Sequence, residues 1–369
     1  MDNTLRAGGF AALILGASLL GGCSGTTPSF AQPAPTATPV ATATPMATAT
    51  PATSLLAHMN TLVTIGSTVD PINGDQNPYG LAIAPVSAGL VTAGDLIICN
   101  FNDGPTNTQG HGTTIVGLHP AVGSTPYRIA QNGNLRGCDA LSVAPGGNIW
   151  TADYNANDNA IYAPSGTPLY TLASSAAYPW SGPWGEIYAA SPGGSRAFYV
   201  SNAGDGTVDR VTVTGASPAS FTEIAGGFSI NHGQPGSISA PAGLTYDPSS
   251  DTLYVIDTNA NMVSAIAKVS TLTAPSASSV KIIAQGAPLN GPLSAALLPN
   301  GNLIVGNTLD GNGTNLLIEV SPTAGVLAIK NVDTGAAGAL FGIVAAGTTA
   351  APKIYFNDDN ANSVVLLST

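Results

Sequence analysis

Six short stretches of the chain are apolar at consecutive positions and then break at an Asp or Asn: "LIICNFND" (96–103), "IWTADYNAN" (149–157), "FYVSNAGDG" (198–206), "LYVIDTNAN" (253–261), "LIVGNTLDG" (303–311) and "IYFNDDNAN" (354–362). Each run has the length of a strand, and residues such as Leu253, Tyr254 and Val255, or Leu303, Ile304 and Val305, do not alternate with polar ones. A strand with one face in water would alternate, so these strands are expected to be covered on both faces. The breaks fall in one column, at Asn100, Asp153, Asn202, Asp257, Asn307 and Asp358, with a period of roughly fifty residues, which is the range of propeller blades.

A second recurring piece precedes each run: "NPYGLAIAP" from 77, "GCDALSVAP" from 137, "GPWGEIYAA" from 182, "APAGLTYDP" from 240, "GPLSAALLP" from 291 and "ALFGIVAAG" from 339. Its fourth column holds only small residues, Gly80, Ala140, Gly185, Gly243, Ser294 and Gly342, as expected where six inner strands converge and their backbones approach closely. Turn signals such as "APGGN" (144–148) and "LPNGN" (298–302) join the two pieces as a hairpin. A third strand follows each Asp/Asn turn, for example "VSAIAKV" (263–269). A fourth follows in five units, at "YRIA" (127), "YTLA" (170), "TEIA" (222), "KIIA" (281) and "VLAI" (326). The sixth unit ends without one, and "TLVTIG" (61–66) at the other end has no partner, so it is expected to complete the last blade and close the ring. The expected fold is all-β, a six-bladed β-propeller of four-stranded antiparallel blades over residues 60–369. A ring closed on itself is expected to be a monomer.

"LYVIDTNANMV" and the preceding "APAGLTYDPSSD" resemble the NHL-repeat unit, and the resemblance spans all six copies. It implies a propeller fold and says little about function. The Arg usual in that unit is Met262 here and is absent from the other copies, which weakens analogy with members that bind RNA through basic faces. Read as one copy, "DTNANMVS" (257–264) looks like the opening of a calcium loop. As one of six it reads as a turn, with Asp257 accepting backbone N–H groups and Asn259 supplying the left-handed residue, as Gly204 would in the third unit. The longest tip, "DYNANDNA" (153–160), offers the most oxygens.

Ahead of the ring, Arg6 precedes an apolar run from Ala7 to Leu20 and then "LGGC" (20–23). The run is short for a membrane span and fits a secretory signal. It resembles a bacterial lipoprotein signal, which implies cleavage after residue 22, lipidation of Cys23 and, with Ser24 next, the outer membrane, facing the periplasm or the cell surface. Residues 23–59, with repeated Thr-Ala-Thr-Pro units, cannot bury a core and read as an extended tether.

Charged residues are only 8% of the chain and the net charge is −11, unchanged when residues 1–22 are removed. Nucleic acid is excluded as a partner because phosphate binding needs clustered Lys and Arg, and the membrane is expected to be reached only through the N-terminal lipid. Export permits a disulfide between Cys99 and Cys138 in neighbouring units. His58, His111, His119 and His232 fall in the tether or in loops and form no ligand motif.

Two functional readings remain. In the first, the protein is a non-catalytic binding or scaffold protein whose concave mouth, on the face of the fourth-to-first-strand loops, presents Tyr79, Trp184 and Phe341 to a small molecule, glycan or protein ligand. No cofactor is required by it. In the second, it resembles gluconolactonase- and paraoxonase-type hydrolases, which implies an axial Ca²⁺ held by Asn77, Asp139 and Glu186, with Asn290 nearby and with Asp139 and Glu186 as catalytic groups.

Overall fold

The computed structural model describes residues 53–215, 217–276, 279–333 and 335–369. The signal segment 1–22, Cys23 and the tether up to residue 52 lie outside the described residues. Among those described, no helix is long and apolar enough to cross a membrane.

The strands are β1 (Thr61–Ser67), then β2 (Gln76–Ile83), β3 (Leu96–Asn102), β4 (Thr114–Leu118) and β5 (Tyr127–Gln131) in blade 1, and β6 (Cys138–Val143), β7 (Ile149–Asp153), β8 (Asp158–Tyr162) and β9 (Pro168–Ala173) in blade 2. Blade 3 holds β10 (Pro183–Ala190), β11 (Arg196–Asn202), β12 (Thr207–Thr214) and β13 (Ser217–Ala225); blade 4 holds β14 (Pro241–Asp247), β15 (Thr252–Asp257), β16 (Met262–Ala267) and β17 (Val280–Gln285). Blade 5 has β18 (Pro292–Leu297), β19 (Leu303–Asn307), β20 (Asn315–Ser321) and β21 (Gly325–Asp333). Blade 6 has β22 (Ile343–Thr348), β23 (Ala351–Asp358) and β24 (Ser363–Ser368), and β1 pairs antiparallel with β24, from Thr61 opposite Ser368 to Ser67 opposite Ser363. Six four-stranded antiparallel sheets result, and the ring is closed by its first strand, as the repeat pattern predicts.

Each blade junction has its own apolar cluster, which is why the second strands need no alternation. Ile97, Leu141 and Ile149 pack between blades 1 and 2, and Trp150 stacks on Phe198 at 3.8 Å between blades 2 and 3. Residues of β3, β7, β15 and β19 are buried throughout, whereas the outer strand β9 is exposed at most positions. The small fourth column is required by close approach: a Cβ on Gly185 would lie 1.9 Å from the Ala242 carbonyl oxygen of the next blade, and one on Gly342 would lie 2.4 Å from that of Tyr79.

Polar side chains also tie neighbouring blades. The left-handed residue of the Asp-x-Asn-Ala-Asn tips is the last Asn and not the first: Asn157, Asn261 and Asn362 have φ of 53°, 50° and 48°, and in the third unit Gly206 takes that place at 73°. This corrects the expectation for Asn259 and Gly204; the turn between the strands is one helical step followed by a left-handed residue, so the positive φ falls at its end. The same Asn then accepts a backbone N–H from the next blade, at 2.8 Å from Gly182, 2.7 Å from Gly291 and 2.7 Å from Asn77. Asp257 accepts the Ala260 N–H at 2.9 Å and Asp358 that of Ala361 at 3.1 Å, the turn-making role expected of the column. A disulfide joins Cys99 of β3 to Cys138 of β6 across the first junction.

Residues 53–59, counted above with the tether, are part of the folded body. Leu56 and Met59 are fully buried against blades 5 and 6, and the Glu319 carboxylate accepts from Ser54 Oγ (2.6 Å), from the Leu56 N–H (2.8 Å) and from Asn302 Nδ2 (2.7 Å). Two apolar side chains and a carboxylate gripping the backbone outweigh the low propensity of a Pro/Thr-rich flank for structure.

Candidate functional site

The inner strands β2, β6, β10, β14, β18 and β22 surround a central cavity of about 370 Å³. Its inner end is closed by aromatic packing: the Tyr79 ring stacks between Phe101 (centroids 4.1 Å apart) and Phe341 (3.7 Å), and Trp184, Leu293 and Ala242 complete the plug. Tyr79, Trp184 and Phe341 are therefore buried, and they do not form the open mouth expected of them. Large rings that meet at an axis bury more apolar surface by stacking on one another than by facing water. Along the strands away from this plug, exposure rises towards Ile83, Val143, Tyr188 and Leu297, so the cavity opens at the ends next to the first hairpin of each blade. That is the face opposite the one anticipated from the sequence.

Asp139 and Glu186 both border this cavity. When the six copies are superposed by column, Asp139 sits with Tyr79, Trp184, Ala242, Leu293 and Phe341, while Glu186 sits with Leu81, Leu141, Leu244, Ala295 and Ile343; each is the one charged residue of its column. Both are 95% buried. Neither oxygen of Asp139 has a hydrogen-bond partner, and Glu186 is bonded through Oε2 alone, which accepts from Asn159 Nδ2 at 3.2 Å, leaving Oε1 unpaired.

Behind them, blade 2 contributes two more acids that sequence reasoning placed in a surface tip. Asp153 and Asp158 are directly opposed across β7 and β8, and both are buried with one oxygen unpartnered. Asp153 Oδ2 accepts from Thr151 Oγ at 2.6 Å instead of capping its own turn as Asp257 does. The only sign of this in the sequence is the oxygen-rich composition of "DYNANDNA"; the register of β7 on β8 puts Asp153 and Asp158 on the side facing blade 1 and Asn159 on the side facing blade 3.

Burial pushes the carboxyls of Asp139 and Glu186 well above the ordinary range, with the Asn159 amide opposing the shift at Glu186. Asp153 is raised by burial first and then by the negative charges of Asp158, Glu186 and Asp139, while Asp158 is raised by burial. Among the described residues no cationic side chain acts on any of the four.

The third residue of the expected calcium set is elsewhere. Asn77, left-handed at φ 65°, has its amide between the Asp359 carboxylate, to which it donates, and Asn102 Nδ2, from which it accepts at 3.1 Å, with its nitrogen turned towards the acid. Asn290 is likewise engaged in blade 5, donating to Asp310 at 2.6 Å. The structure thus brings Asp139 and Glu186 together and leaves Asn77 and Asn290 apart from them. Among the described residues, no three His, Cys, Asp or Glu side chains are arranged as a metal-ligand set.

No family model matches the chain, and no curated protein sequence matches it either. Solved structures do match. The chain is similar to a catalytically inactive variant of virginiamycin B lyase from Staphylococcus aureus with quinupristin, with a TM-score of 0.51 and 15% identity over 84% of this chain and 99% of that one. It is similar to a chain of a nidogen/laminin complex, with a TM-score of 0.52 and 15% identity over 73% and 85% of the two chains. A PQQ-bound aldose sugar dehydrogenase from Streptomyces coelicolor gives a TM-score of 0.52 at 13% identity over 84% and 97%. At these identities the likeness shows the propeller fold alone, and its hosts range from enzymes to a protein–protein complex.

Proposed function

We propose that this protein is a binding propeller of the cell envelope, held to the membrane by a lipid on Cys23, whose axial cavity takes a small ligand. The observation that supports this most directly is the pair of buried carboxyls, Asp139 and Glu186, that border the cavity with three oxygens lacking any partner in the protein. Buried acceptors are normally paired, and a cavity that presents unpaired ones is matched by a ligand that supplies donors. The cavity volume is at the small end of the range for ligand pockets, and its apolar walls (Leu81, Leu244, Ile343) would cover the body of such a molecule. The NHL-type repeat reading is retained as the description of the unit, on the strength of the six aligned copies.

A screen of small molecules by thermal shift tests the reading. Ligands found this way are expected to lose their effect in the double variant Asp139→Asn/Glu186→Gln, and binding that survives both changes would place the site elsewhere. Attachment is tested separately by mass spectrometry of the membrane fraction, where a diacylglyceryl group on Cys23 is expected; the Cys23→Ala protein should leave that fraction.

A second reading keeps Asp139 and Glu186 as the acid–base pair of a hydrolase, favoured by the upward displacement of both carboxyls inside a cavity. The Ca²⁺ version of that reading loses Asn77 as a ligand. Hydrolysis of a lactone or ester that is abolished in Glu186→Gln would favour it over simple binding.

A further inference from the structure

We infer that the ligand of the axial cavity is a cation of one kind, an alkylammonium group seated against Asp139 and Glu186 at the junction of blades 2 and 3. The inference rests on the cavity being a binding site and adds the chemical class of what it binds.

The unmet capacity around this cavity is mainly acceptor capacity. Both oxygens of Asp139, Oε1 of Glu186, Oδ1 of Asn159, Oδ1 of Asp153 and Oδ1 of Asp158 are buried with no partner. All six are acceptors, and they outnumber the one buried unpartnered donor that the described residues place on the cavity lining, the Tyr188 hydroxyl. Other buried acids in the chain are well supplied: Asp75 accepts from the Gly104 and Thr113 N–H groups and the Thr113 hydroxyl, Asp95 bonds His119 and Tyr127 at 2.6 Å each, and Asp70 pairs with Arg128. The fold therefore satisfies carboxylates elsewhere and leaves these under-supplied: Glu186 accepts from Asn159 alone, Asp153 from Thr151, and Asp139 from no group. Protonating one of the four acids adds a single donor and still leaves an excess of acceptors.

Charge leads to the same class. Asp139 and Glu186 border one cavity with no Lys, Arg or His among the described residues acting on either, and Asp153 and Asp158 on the blade 1 side of blade 2 likewise have none, in a protein that is net negative overall. A buried carboxylate is stable when paired and hydrogen-bonded, so the missing component is a positive group that carries N–H donors. An ammonium head supplies three donors and one charge. The choice of ammonium over a bare metal ion follows from the placement of the acids, which are distributed over two blades and are not arranged as a metal-ligand set of three. Asp139 and Glu186 border the cavity and would touch the head group, while Asp153 and Asp158 lie outside its wall, on the side of blade 2 that faces blade 1. The remaining wall carries Ser142, Tyr188, Thr245 and Ser294 between apolar side chains such as Leu81, Leu244 and Ile343, which suit a short alkyl body.

The test uses the folded propeller with n-butylammonium and 1,4-diaminobutane as probes, 1-butanol as the neutral counterpart and calcium chloride as the metal arm, read by calorimetry and thermal shift. The amines are expected to bind and to raise the melting temperature, with affinity falling at least about tenfold in Glu186→Gln and in Asp139→Asn, as for loss of one charge-assisted contact. The two isosteric variants are independent, so one that fails to fold leaves the other decisive. Calcium binding that is lost in these variants, without amine binding, would assign the positive charge to a metal and overturn the inference. Equal binding of butanol and butylammonium would also overturn it while leaving the cavity as a binding site. If a broad panel of charged and neutral small molecules leaves the protein unshifted, the binding reading itself fails along with it.

Discussion

Asn159 Nδ2 donates to Glu186 Oε2 at 3.2 Å, and this bond carries a strand of blade 2 to the inner strand of blade 3. Among the described residues it is the only donor that reaches Glu186, and it leaves the Asn159 carbonyl oxygen and Glu186 Oε1 both unpaired. Beside the apolar packing of Trp150 on Phe198, the junction thus carries a polar contact that satisfies half of each partner, where the cavity wall holds Glu186.

Stability should fall as pH rises through neutrality. Burial raises Asp139 and Glu186, lifts Asp359 to about 7 and Asp209 to about 8. Unfolded, these groups release their protons near pH 4, so between about pH 4 and their raised values the folded state binds more protons than the unfolded one. Their contribution is complete below the unfolded values and is lost as pH climbs through the folded ones. Melting temperatures measured without ligand should be several degrees higher near pH 5.5 than near pH 8.5, and Asp209→Asn should flatten the slope. A melting temperature that rises over this interval would contradict the assignment.

The Asn that ends each Asp-x-Asn-Ala-Asn turn does two jobs that substitution can separate. Asn261→Gly keeps the left-handed backbone and loses the bond from Gly291, at a cost of about 1 kcal/mol; Asn261→Ala loses the bond and adds roughly 1 kcal/mol because Ala lacks the short polar side chain that makes φ 50° tolerable for Asn. Denaturant unfolding of the two variants should rank them in that order. Equal values would mean that the backbone conformation is not the constraint.

Reduction should weaken the first junction. The Cys99–Cys138 bridge closes a loop with a sequence separation of 39, for which chain entropy gives about 4 kcal/mol. The double Cys→Ala variant is expected to unfold at clearly lower denaturant than the oxidised protein, and the wild type with reductant should approach it.

The folded body should begin before β1. Leu56 is fully buried against blades 5 and 6, so Leu56→Ala is expected to cost roughly 2–5 kcal/mol. A truncation starting at residue 53 should melt like the longer protein, whereas one starting at residue 60 should melt markedly lower. If both truncations melt alike, the docking of 53–59 contributes no stability.

The architecture is written in the order of residues. Apolar runs at a period of about fifty residues, a column of small residues from Gly80 to Gly342, and an unpartnered first strand specify six blades and their closure, because each of these signals is local and most are repeated six times. Asp139 and Glu186 were legible as well, since a charge stands out in a column that is otherwise apolar. Direction, by contrast, is set by packing in three dimensions. Tyr79, Trp184 and Phe341 could be read as a mouth, but rings converging on one axis stack, and the cavity opens at the other end. Asp153 shares its column with turn-making acids, yet it bonds Thr151 and opposes Asp158 on the side of blade 2 that faces blade 1, while Asn159, on the other side, reaches Glu186. Asn77 lies three residues from the small column and still belongs to another cluster, because a left-handed residue redirects its side chain towards blade 6. Periodicity reports which residues are covered; which neighbours cover them depends on register and on contacts between blades far apart in the chain.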